Sequence, residues 1–433
     1  MKILIITHII PYPLSDGGKI SQYSLIDYLR NKCSITLVVF VYNETDNFSI
    51  QCLKNIWENV NFEIISMLKT TPLLVSPTNK CVLQIFLKAI LYKANWLYNK
   101  IFPSVKLAIQ ENEKIPNENI INLAGFCKPR EKKVIDQISH IIETGKPDLV
   151  QMEFVDVLDL SLCIPKKIKK IFVHHELRFM RIETELTMSS GPLDTYGKYM
   201  QKFCEIPEIE LLKNFDAIVT VSEDDKDLLL QKLPGKNICS LPFPILDKEI
   251  KAIEMDNLLI KKLVFVGGEF HFPNKDAVEW YISSMSKMIF EKYGFILHVI
   301  GNWSKEAINK YKSNPTICFT GFVDDLSEYC KNSIMVVPLR IGSGIRQKIL
   351  YAMAAGIPVV STGLGSEGIV DNDKISITAN TPAEFVEAID KIIADKGYSI
   401  SMVSNAQSVL KTHYSQQEAG GKRFLFYKSV LEN

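Results

Sequence analysis

"VPLRIGSGIRQKILYAMAAGIPVVST", Val337 to Thr362, joins two apolar runs through a glycine-spaced loop and a basic helical pattern. "SIMVVPL" reads as a strand, Arg340 to Gly344 as the loop at its carboxyl end, and the helix is expected to begin near Ser343–Ile345 with Ser343 as N-cap. Gly342 and Gly344 let backbone N–H groups come close to a ligand, and a helix start favours an anion. Arg340 and Arg346 add forked donors suited to phosphate, and Lys348 adds a compact charge. On the expected helix, Ile345, Ile349, Ala352 and Met353 face a sheet, while Gly344, Lys348 and Tyr351 share another side. The pattern points to a diphosphate or nucleotide site. The plainer alternative is a glycine-bearing connection with solvated basic residues.

Two familiar phosphate loops do not fit. The third glycine of a dinucleotide fingerprint would fall at Gln347, and no G-x-x-x-x-G-K-[ST] occurs. G-x-S-x-G, the hydrolase elbow, is also missing.

Working outward, strand and helix patterns alternate along the chain. "KILIIT", "SITLVVFV", "PDLVQME", "KKIFVHH" and "DAIVTVS" come first; "KKLVFVGG", "FILHVIG", "TICFTGFV", "SIMVVPL", "IPVVST" and "KISITAN" follow. Near-continuous apolar strands separated by helices predict parallel sheets covered on both faces. The 433 residues are too many for one ordinary core, and "LPFPILDKEI" reads as the connection between two domains of about 200 residues each. The expected division is 1–243 and 244–400. Two doubly wound domains leave a cleft at their strand ends, where ligands bind.

Composition excludes little but is useful. Hydrophobic content of 47%, charged content of 23% and a net charge of +1 suit a globular protein and argue against a general nucleic-acid binder. Nine scattered cysteines without C-x-x-C predict buried thiols in a reducing compartment. The N-terminus lacks the small-residue cleavage site of a signal peptide and reads as a buried strand. No apolar run is long enough to span a membrane. The segment from Cys81 to Phe102 has a broad apolar side with a basic fringe, which suits core packing or a peripheral membrane contact.

A second constellation is "FVHHELRFMR", Phe172 to Arg181, at the end of a strand. It lacks the H-E-x-x-H spacing of helical zinc enzymes, and the Asp pairs at 224–225 and 324–325 suit helix capping; no metal site is expected.

The segment "PLRIGSGIRQKILYAMAAGIPVVSTGLGSEGI" resembles the donor-binding signature of glycosyltransferases with the GT-B fold, in the large retaining group called family 4. The likeness continues in "FVGGEFHFPNKDAVEW", "GFVDDLSEYC", "DAIVTVSEDDKDLL" and the N-terminal "MKILIITHIIPYPLSDGGKISQYSLIDYL". It implies two Rossmann-like domains facing across a cleft. The first domain would be acceptor-side, and the second, 244–400, would bind a nucleotide sugar as substrate, with no cofactor. The C-terminal segment 401–433 would pack as helix and cross back to the first domain, and a hinge near Pro242–Asp247 would let the cleft close.

The implied donor site comprises Gly17, Gly18, Arg340, Gly342, Ser343, Gly344, Arg346, Lys348, Tyr351 and Glu367. His174 best matches the family's functional histidine, with His175 second; Glu176 would orient or deprotonate an acceptor hydroxyl. The expected acceptor is a glycan or lipid-linked, and Arg178 and Arg181 would recognise an anionic one such as a lipid-linked diphosphate. The implied activity is metal-independent retaining transfer in bacterial-style polysaccharide or glycolipid assembly, in the cytoplasm at the inner membrane face.

The family has two glutamates where this chain has Ser343 and Tyr351, so Glu367 is the expected substitute carboxylate. A non-catalytic GT-B partner protein and a nucleotide-sugar epimerase on the same fold are the alternatives.

Overall fold

The computed structural model describes residues 1–68, 128–251, 259–323, 325–342 and 344–432. The 81–102 segment, Asp324 and Ser343 lie outside them. The described chain forms two wholly parallel sheets flanked by helices, the GT-B architecture. The first runs β3-β2-β1-β4-β5-β6-β7 and comprises β1 Lys2–Thr7, β2 Ser34–Val41, β3 Val60–Ser66, β4 Leu149–Glu153, β5 Lys169–His174, β6 Ala217–Thr220 and β7 Asn237–Ser240. The second runs β10-β9-β8-β11-β12-β13 and comprises β8 Lys262–Val266, β9 Leu297–Ile300, β10 Ile317–Gly321, β11 Ser333–Val337, β12 Val359–Ser361 and β13 Ile377–Thr378.

Strand alternation sorts β1 between two cores. Ile3 and Ile5 pack on one face with Leu25, Leu37 and Val39; Leu4 and Ile6 pack on the other with Val38, Val150 and Met152. β3 and β7 were not read from the sequence. Both are sheet edges, where exposed Asn61, Glu63 and Asn237 break the apolar run.

The capping expectation is divided among residues. Ser222 accepts from the Asp225 N–H at 3.2 Å, leaving Asp224 and Asp225 in the first turn, where the helix dipole favours them. Asp325 itself caps, accepting from the Glu328 N–H at 2.9 Å. The described cysteines are free, but only Cys204 and Cys330 are buried, and Cys318 is exposed.

Two stretches cross between the sheets side by side. The Ile245 N–H donates to the Tyr414 carbonyl at 2.7 Å, and the Gln416 N–H donates to Asp247 Oδ1 at 3.0 Å. The return to the first sheet starts later than residue 401: Met402, Ala406, Leu410 and Tyr414 remain in the second domain's core. Only the helix Gly421–Glu432 buries Tyr427 and Val430 against the first sheet. Arg423 Nη2 fastens it to the Leu241 carbonyl at 2.6 Å. Among the described residues no helix is long and apolar enough to cross a membrane.

Candidate active site

A cavity of about 870 Å³ lies between the sheets, walled by the carboxyl ends of β1, β4 and β5 on one side and β8, β9 and β11 on the other. Gly17, Gly18, His174, His175, Glu176, Arg178 and Arg181 line it from the first domain. Gly342, Arg346, Lys348 and Tyr351 line it from the second.

The loop after β11 owes its course to Gly342 (φ 121°) and Gly344 (φ 74°), conformations that side-chain-bearing residues resist. They keep the chain out of the helical region, so the helix begins at Gln347, with Arg346 rather than Ser343 in the N-cap position and no side-chain cap. Gly344 therefore lies before the helix, not on its ligand side. It presses on the other domain instead: a Cβ there would stand 2.6 Å from the His175 carbonyl oxygen.

Lys348, in the first turn, is 9% exposed; its Nζ donates to Asn274 Oδ1 at 2.7 Å and lies 3.9 Å from the centre of the Phe265 ring. No described carboxylate is within ion-pair distance of it. Burial, then the neighbouring Arg346, holds its ammonium well below the usual lysine range. Arg346 donates from Nη1 to the Gly344 carbonyl at 2.8 Å, and burial lowers its pKa. Two buried cations thus stand beside an uncapped helix N-terminus. The Asn274 amide links Lys348 to the strand-end loop after β8, because its Nδ2 also donates to the Gly268 carbonyl at 3.0 Å. Gly267 makes room for that amide, since a Cβ there would fall 2.6 Å from it.

Tyr351, one turn onward, has its phenol pushed well above its ordinary value by burial, then by Glu249 and Asp16. Arg340 does not line the cavity. Its Nε and Nη2 grip Asp276 at 3.0 and 2.6 Å, and its guanidinium lies 5.0 Å from the Trp280 ring centre. Glu367 is also off the cavity wall, half-buried beside Arg346; burial raises its carboxyl, with Arg346 opposing.

Across the cleft, the adjacent histidines differ. His174 is 2% exposed, with Nε2 2.8 Å from Oε1 of the fully buried Glu208. Glu208 also accepts the backbone N–H groups of Arg178 and Phe179, each at 3.1 Å. His175 stacks between Phe154 and Phe243, with centroids at 3.8 and 4.5 Å, and its Nε2 is 2.9 Å from Glu153 Oε2. Burial lowers its pKa against the pull of Glu153.

Burial would raise the Glu176 carboxyl, but Arg181, His271 and Arg178 together hold it well below its usual value. Arg181 Nη1 reaches it at 2.9 Å; His271 Nε2, from the opposite domain, stands 3.9 Å away. Arg181 also binds Glu185, and Arg178 binds Asp156 at 3.0 Å, so both arginines already hold carboxylates.

Gly17 and Gly18 open the helix Gly17–Leu29, with Asp16 accepting from the Lys19 N–H at 3.0 Å; a Cβ at Gly17 would stand 3.1 Å from Gln347 Cγ. His271, Asn274, Gln347, Phe154 and Phe243 also line the cavity and carry no signal singled out in the sequence, although the first two lie within "FVGGEFHFPNKDAVEW". Among the described residues no cluster of three or more His, Cys, Asp or Glu is placed to hold a metal.

The family model of glycosyl transferases group 1 matches residues 260–395. An uncharacterised 44.6 kDa protein in the cps region of Klebsiella pneumoniae is 22% identical over 96% of this chain and 97% of its own. Among solved structures, sucrose-phosphate synthase from Thermosynechococcus elongatus superposes with a TM-score of 0.65 at 11% identity, over 100% of both chains. HepE of Anabaena, solved in complex with UDP-glucose, gives 0.62 at 11% identity over 99% and 100%. The glycosyl transferases group 1 match covers the second domain, residues 260–395, and the two-sheet architecture of the chain is the GT-B fold of the structures on which it superposes.

Proposed function

We propose that the protein transfers a sugar, with retention, from a nucleotide-sugar donor held by Lys348 and Arg346 to an acceptor hydroxyl presented by the first domain. The observation that carries this reading is Lys348: a buried ammonium without a carboxylate partner among the described residues, beside an uncapped helix start and facing a cavity. Burying such a charge is costly unless an anion completes the site. A diphosphate supplies that anion, and the donor HepE binds makes a UDP-sugar the first candidate.

In the reaction the acceptor oxygen bonds to the anomeric carbon as the bond from that carbon to the diphosphate oxygen breaks. The hydroxyl proton leaves with the diphosphate. Lys348, Arg346 and the N–H groups at the start of the Gln347 helix stabilise the charge that develops on the leaving oxygen. His175 is held by Glu153 and two aromatic rings at the opposite wall, positioned to touch the transferring sugar. Glu176, kept ionised by Arg181, is positioned to accept a hydrogen bond from a sugar hydroxyl. The cps-region placement of the Klebsiella relative supports a role in surface polysaccharide assembly.

The test is UDP release from UDP-sugars in the presence of neutral and lipid-linked glycan acceptors. Acceptor-dependent release with a new glycoside supports transfer. Nucleotide binding with no transfer across the panel identifies a non-catalytic partner protein, as the tyrosine at 351 would allow; an epimeric nucleotide sugar identifies an epimerase.

A further inference from the structure

A second cavity, of about 630 Å³, opens at the carboxyl ends of β1 and β2. His8 and Ile9 line both it and the interdomain cleft, so the two spaces meet at these residues. Its walls include four aromatic rings, Tyr12, Phe40, Tyr42 and Phe48, of which Tyr42 and Phe48 are 51% and 71% exposed. The rim is polar but committed. Asn43 and Asp46 form the capping box of the helix Glu44–Ile56, and Lys19 donates to Ser15 Oγ at 3.1 Å with Asp16 at 3.5 Å. At the junction, His8 Nδ1 is buried and has no hydrogen-bond partner among the described residues, while Nε2 lies 3.6 Å from Asp156.

We infer that this groove seats an uncharged pyranose ring of the acceptor, its apolar face against Tyr42 and Phe48 and its polar edge toward the part-exposed His8 ring at the junction. The inference rests on the glycosyl-transfer reading and names the acceptor class for it. Exposed aromatic rings beside hydroxyl and amide groups match a sugar, whose C–H faces are apolar and whose edges are polar. Among the described residues lining the groove, the one cation is Lys19, which is held by Ser15 and Asp16. Arg178, beside His8, and Arg130, beside His8 and Tyr42, already hold Asp156 and Asp159. The junction at His8 lets an acceptor lie in the groove with its reacting hydroxyl in the cleft.

Saturation-transfer NMR with methyl gluco-, galacto-, manno- and N-acetylglucosaminides tests this on the full chain. At least one glycoside is expected to bind the native protein and to bind about tenfold more weakly to Tyr42→Ala/Phe48→Ala. UDP affinity, measured by calorimetry on the same samples, is expected to be unchanged; Phe48→Ala alone serves if the double variant fails to fold. No glycoside binding, equal binding in the variant, or displacement of the glycoside signal by dodecyl phosphate but by no other sugar overturns the proposal. Failure of the native protein to bind UDP overturns the donor reading instead, because the glycoside result is read at a different site.

Discussion

Gly344 of the donor loop faces the carbonyl oxygen of His175 so closely that a Cβ would stand 2.6 Å from it. The contact joins the loop after β11 to the strand end after β5, and neither side is a flexible side chain. Gly344→Ala would meet both this clash and a positive φ, a strain of order 1–3 kcal/mol. The variant is expected to open the cleft, which small-angle scattering reads as a larger radius of gyration, and to lose transfer. An unchanged radius with native activity would show that the loop gives way locally.

The two histidines of "FVHHEL" are expected to fail differently. His174→Ala removes the imidazole that stands against the buried Glu208 and should lower stability, measured by urea denaturation. His175→Ala should lower kcat while leaving UDP affinity intact, because its ring faces the cleft from the domain opposite Lys348. Equal stability of His174→Ala and the native chain would move His174 out of its structural role.

His8, His175 and His271 all have pKa values lowered from 6.5, in each case chiefly by burial. Between those lowered values and 6.5 the unfolded chain binds more protons than the folded one, so stability rises with pH across that window. Acidification from 6.5 downward is therefore expected to lower the urea midpoint, and His8→Gln/His175→Gln/His271→Gln to flatten the dependence. Glu176 adds no loss there: its carboxyl is held well below 4.5, so its contribution fades only in stronger acid.

Arg340 is tied to Asp276 beside Trp280, off the cavity wall. Arg340→Ala should leave UDP affinity within the error of calorimetry while lowering the melting temperature. A large loss of UDP affinity would return Arg340 to the donor site.

These assignments mark where the sequence was legible. β1 and β2 were readable because burial on both faces leaves a near-continuous apolar run after the exposed Lys2 and Ser34. The half-exposed edges β3 and β7 carry no such signal. The helix after β11 was read too early, since two glycines at positive φ delay it to Gln347. Of the residues picked by strand-end logic, Gly17, Gly18, His174, His175, Glu176, Arg178, Arg181, Gly342, Arg346, Lys348 and Tyr351 line one cavity. It could not separate Lys348 from Arg340, because their partners Asn274 and Asp276 lie 74 and 64 residues away in sequence. Nor could it show that Arg178 and Arg181 would be held by carboxylates, or that Glu367 would stand off the wall.

The most direct measurement is calorimetric titration of UDP into the native protein and Lys348→Met, in buffers of different ionisation enthalpy. The native protein is expected to bind UDP, and on the alkaline side, above the lowered lysine value and below 10.5, to take up a proton as the diphosphate restores the ammonium. Lys348→Met should bind about 1.5–3 kcal/mol more weakly, take up no proton, and melt no lower than the native chain, since a buried charge has been removed. No UDP binding by the native protein, or equal affinity and equal proton uptake in Lys348→Met, would contradict the assignment of this cleft as a nucleotide-sugar site.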